Sequence, residues 1–94
     1  MSQTTKTASL ERKTVAVKVA EFRGAIEELS YWFSSLKSAV GPVERAREAA
    51  SVKRAAVALM AMDCPRARQD ERDEKERLID ITATYLTEAG LAGK

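Results

Sequence analysis

Apolar residues in the first half of the chain recur at alternating steps of four and three. Val15, Val19, Phe22, Ile26, Leu29, Phe33, Leu36 and Val40 follow this rule without a gap. On an α-helix that spacing gathers the side chains along one edge, the pattern of helices that pack on other helices. A half-buried strand would need apolar residues at every second position, and the stretch lacks them. The edge widens on one flank, where Ala25, Trp32 and Ala39 adjoin it. A wider face suits packing against two helices rather than one. The first helix is therefore expected over residues 9–40, with Ser9 as its N-cap. Residues 1–8 are small and polar and are expected to form a disordered tail.

Val17 and Tyr31 lie off this edge and point away from it, and Trp32 borders it. Aromatic residues are favoured anchors of protein interfaces. These three residues are the candidates for partner binding or self-assembly. Gly24, also off the edge, is read as a tolerated exposed glycine.

Gly41-Pro42 breaks the pattern. Glycine suits the left-handed position after a helix, and proline suits the first turn of the next. The short joint predicts an antiparallel hairpin with a second helix over 42–63. That helix is rich in alanine, and its small side chains leave room for the bulky edge of the first. Met60 and Met62 are read as adaptable core filler. Pro65 disfavours helix at Cys64, so a third helix is expected over 65–89, although one long kinked helix remains an alternative.

From Arg66 to Asp80 nearly every residue is charged. Opposite charges four apart, such as Arg66–Asp70, Glu71–Lys75, Arg72–Glu76 and Asp73–Arg77, would support a solvated helix. Only its second half, from Leu78 to Ala89, carries an apolar stripe able to dock. Gly90 ends the helix, and residues 91–94 form a short tail. The whole is read as all-α: one domain over 9–90, a three-helix bundle or a helical hairpin plus a third helix, antiparallel and oligomeric.

Composition narrows the function. With 94 residues there is room for one modest core, and association would add to it. Sixteen basic against fourteen acidic residues give a net charge of +2, too balanced to announce a nucleic-acid or membrane partner. The chain has no histidine and one cysteine, Cys64. Histidine acid–base chemistry and zinc sites are thus missing from the inventory, and no cofactor or metal is expected. A lone cysteine suits a reducing compartment, and neither a membrane span nor a secretion signal is found, so a cytoplasmic location is expected. No phosphate loop, EF-hand or catalytic triad can be assembled, and an enzyme is not expected. The joint Cys64-Pro65 with Arg68 resembles that of small phage proteins that sequester cyclic nucleotides. The surrounding helices do not match that family, and no site residue is carried over.

Two functions remain. The first is a small, self-associating interaction module that binds, masks or bridges a partner protein. The alternative is an oligomeric binder of a small anion, nucleotide or nucleic acid through Arg45, Arg47, Lys53, Arg54, Arg66 and Arg68. The acids interleaved with these arginines near the second joint weigh against phosphate.

Overall fold

The computed structural model describes the backbone of residues 2–92 and the side chains of residues 14–92. It contains three helices, α1 (Ser2–Ser38), α2 (Pro42–Met60) and α3 (Gln69–Glu88), and no strand among the described residues. The body measures 62 × 22 × 22 Å. That elongation follows from α1, whose 37 residues span about 55 Å at 1.5 Å per residue. α2 and α3, with 19 and 20 residues, span about 30 Å each. Helical backbone extends upstream of Ser9, so that residue lies within α1 rather than capping it. The side chains of residues 1–13 lie outside the described set, but the backbone from Ser2 to Ala8 is helical, contrary to the disordered polar tail expected over 1–8.

The apolar edge of α1 is the centre of the core. Phe22, Leu29, Phe33 and Leu36 are buried, and Val19 and Ile26 pack against them. Val15 and Val40 depart from the expectation, Val40 being 81% exposed. For Val40 the cause is the joint. α1 stops at Ser38, and Gly41 adopts φ 90°, ψ 150° as the N-cap of α2 rather than following α1 in the left-handed helical region. The conformation it holds instead is essentially reserved for glycine. The turn swings Val40 outward, and its amide donates to Glu44 Oε2 at 3.2 Å.

α2 contributes Ala49, Val52, Ala55 and Leu59 to the core, and α3 contributes Leu78, Thr82 and Leu86. The second joint separates two helices, which excludes the single kinked rod. It is longer than expected, running from Ala61 to Arg68, and it is packed: Cys64 and Ala67 are both buried. Met62 lies against the core, but Met60 is exposed and fills nothing. α3 therefore begins at Gln69, which leaves Arg66 and Arg68 in the joint. Glu71, in its first turn, reaches back so that Oε1 accepts from the Arg68 amide at 3.0 Å. This supplies a partner for an amide that the helix cannot satisfy itself.

The charged half of α3 does not stand free in solvent. Lys75 donates to the Met62 carbonyl at 2.6 Å and sits 5.9 Å from the Phe22 ring centre. Further along, Phe33 and Tyr85 pack edge to face at 5.4 Å. None of the four expected ion pairs forms among the described residues; Arg77 pairs instead with Glu74, and Arg68 with Asp70. The end of α3 is closed by Gly90 at φ 74°, with the Leu91 amide donating to the Leu86 carbonyl at 2.8 Å and the Gly90 amide to Thr87 at 3.2 Å. This is the Schellman arrangement, and Leu91 packs on the core as that motif favours.

Thr82 is 1% exposed, and its hydroxyl finds no hydrogen-bond partner. An unpaired buried hydroxyl costs stability, whereas valine has nearly the same shape without it. Thr82→Val is expected to stabilise the fold by about 1 kcal/mol, read as a higher midpoint in thermal or urea unfolding.

Candidate interaction surface

The three residues proposed as an assembly site all lie on α1. Tyr31 is 63% exposed and meets Trp32 edge to face at 5.0 Å. Trp32 is half-buried, packed against the core, and lines a shallow groove of about 200 Å³ between α1 and α2. Glu28, Ser51, Arg54, Ala55 and Ala58 complete that groove. Val17 is also exposed but lies fourteen residues from Tyr31, about 20 Å along the helix. Tyr31 and Trp32 thus form one patch, with Val17 farther along the same rod.

α2 adds exposed residues that the sequence reading did not assign to a surface. Val43 and Val57 are 72% and 66% exposed, and Met60, three residues beyond Val57, is exposed as well. The helix is apolar on two faces: Ala49, Val52, Ala55 and Leu59 turn inward, while Val43, Ala50 and Val57 turn to solvent. The signal was available in the spacing, since 43, 50 and 57 recur every seven residues.

The six basic residues of the alternative reading do not converge. Arg45 and Arg47 lie near the start of α2, and Arg66 and Arg68 lie in the joint beyond its far end. Lys53 and Arg54 sit between them on the helix. Arg54 donates to Ser51 Oγ at 3.3 Å, and Arg68 is paired with Asp70. Of the six, Arg54 and Arg66 line grooves, and these are different grooves.

A larger open groove of about 600 Å³ runs between α1 and α3. Glu27, Asp70, Asp73 and Glu74 make it acidic, but Arg23 and Arg77 run through it. Arg23 donates to Glu71 across the two helices. That bond, together with the Arg68 amide, holds the Glu71 carboxyl below its ordinary range, and Arg77 does the same for Glu74. No group of side chains among the described residues is arranged to hold a metal ion. No helix among them is long and apolar enough to cross a membrane.

The Arg23–Glu71 pair makes a prediction about pH. A carboxyl depressed by folding adds stability above its unfolded value, and loses that contribution as pH falls through its folded value. Glu71→Gln should therefore unfold earlier than the parent at neutral pH. In acid, below the carboxylate range, the two melting curves should converge. The difference will be modest because the pair is partly solvated.

Comparison of the chain with known protein families, with curated proteins and with solved structures finds no match. The resemblance at Cys64, Pro65 and Arg68 gains no support from it.

Proposed function

We propose that this protein is a small helical interaction module that self-associates and binds, masks or bridges a partner protein. The observation that carries the reading is the outward apolar face of the α1–α2 pair, where Tyr31, Val43 and Val57 are each more than half exposed. A core this small leaves limited stability, and covering that face would add to it. In this reading α1 and α2 form an antiparallel hairpin. The Ser35–Glu48 hydrogen bond of 3.0 Å near the joint, and the Glu28–Arg54 groove farther from it, support that direction. The single buried cysteine fits a reducing compartment such as the cytoplasm.

Light scattering over a dilution series tests self-association directly. The parent chain should show a mass above one copy at high concentration and approach one copy on dilution. Tyr31→Ala should shift that transition to higher protein concentration while leaving the circular dichroism spectrum unchanged. A single-copy mass throughout the series would reject self-association.

A further inference from the structure

Two exposed stripes share the outer face of the α1–α2 pair, and they have the same period. On α1 the stripe is Val17, Glu21, Gly24, Glu28, Tyr31 and Ser35; on α2 it is Val43, Arg47, Ala50, Arg54 and Val57, continued by Ala61 at the C-cap. Each advances by four, three, four, three and four, so each follows one side of its helix. Every residue of the two stripes is exposed except Ser35, which is half-buried. Over the first five positions of each, apolar or small residues alternate with charges. The charges on α1 are both glutamates, and those on α2 are both arginines.

None of these four charges forms an ion pair among the described residues, although the chain makes such pairs elsewhere. The stripes also stand level with one another, since Glu28 and Arg54 border the same groove. Gly24 faces open space, with no atom within 4 Å of where a Cβ would be. Together with Ala50 and Ala61 it leaves the face flat enough for another helix to approach.

We infer that this face is the contact of a two-fold dimer, in which the glutamate stripe of α1 lies on the arginine stripe of α2 from a second copy. The inference rests on the self-association proposed above and specifies its geometry. The argument for a second copy, rather than another protein, is charge complementarity within one surface. A copy turned about an axis parallel to the helices sets each α1 against the other's α2 and preserves height. Glu28 then meets Arg54 of the second copy twice, once on each side of the axis, as an isologous contact requires. The same levelling sets Tyr31 beside Ala50 of the other copy. A copy turned about an axis across the helices would oppose glutamate to glutamate and arginine to arginine, so the charges select one arrangement.

Charge reversal tests this. Glu28→Arg and Arg54→Glu are prepared separately, and their masses are measured by light scattering and native mass spectrometry at low salt, with circular dichroism as the control for folding. Each variant alone should dimerise at least about tenfold more weakly than the parent, because like charges meet across the axis. An equimolar mixture should form a dimer with one copy of each, since both contacts are then opposite in sign. Gly24→Arg supplies a second variant: it has open space in the single copy and should still block the dimer. A parent chain that stays single at every concentration would remove the self-association reading and this inference with it. A parent dimer whose reversal variants dimerise equally well, or whose mixture fails to pair, would leave self-association standing and overturn the geometry drawn here.

Discussion

Phe22→Ala is expected to destabilise the fold by about 3–5 kcal/mol, the range found for emptying a buried aromatic site. Phe22 is 1% exposed and stands where three parts of the chain meet. It belongs to the central edge of α1, its ring lies beneath Lys75 of α3, and it borders the same hollow as Cys64 in the second joint. Truncation would open a space under the joint and remove the surface against which the charged half of α3 rests. Domains of this size are stable by about 5–15 kcal/mol, so one residue would remove a large share of the total. The measurement is urea unfolding at fixed protein concentration, because association would otherwise shift the midpoint. A loss below 1 kcal/mol would mean that Phe22 is not packed as described.

The second large effect is expected at the first joint. Gly41 holds φ 90° and ψ 150°, a conformation essentially reserved for glycine. Gly41→Ala meets no neighbouring atom, so its cost is backbone strain alone, about 1–3 kcal/mol. Gly24→Ala gives the contrast. It too has open space, but Gly24 lies within α1, where alanine is favoured by about 1 kcal/mol. The two substitutions add the same methyl group and should move the unfolding midpoint in opposite directions. If both stabilise, the joint does not hold the conformation described.

The central edge of α1 was legible because apolar residues at helical spacing have few other uses. Its ends were harder to read. Val40 continues the spacing faithfully, but spacing carries no information about where a helix stops, and the turn at Gly41 decides that. The start of α3 was hidden for a related reason. Charges suited to helical pairing begin at Arg66, yet Cys64 and Ala67 are needed as small apolar plugs against α1, and the chain stays irregular until both are seated. The charged half of α3 has no apolar stripe, so its spacing predicts only a solvated helix; it docks through long side chains instead, by the Arg23–Glu71 pair and by Lys75. Tyr31 and Trp32 could be picked out as aromatic residues off the main edge. The outward side of α2 could not be picked out as readily, because Arg47 and Arg54 interrupt its apolar run, and the significance of those interruptions emerges only when the level of Glu28 is known.

Cys64 is the chain's single thiol, and it lies buried where the second joint rests on α1. Any excess of a thiol-specific dye must wait for that segment to lift before it can react. The rate of labelling therefore reports how often the connector exposes its thiol, by local opening or by unfolding of the chain, and it requires no engineered probe.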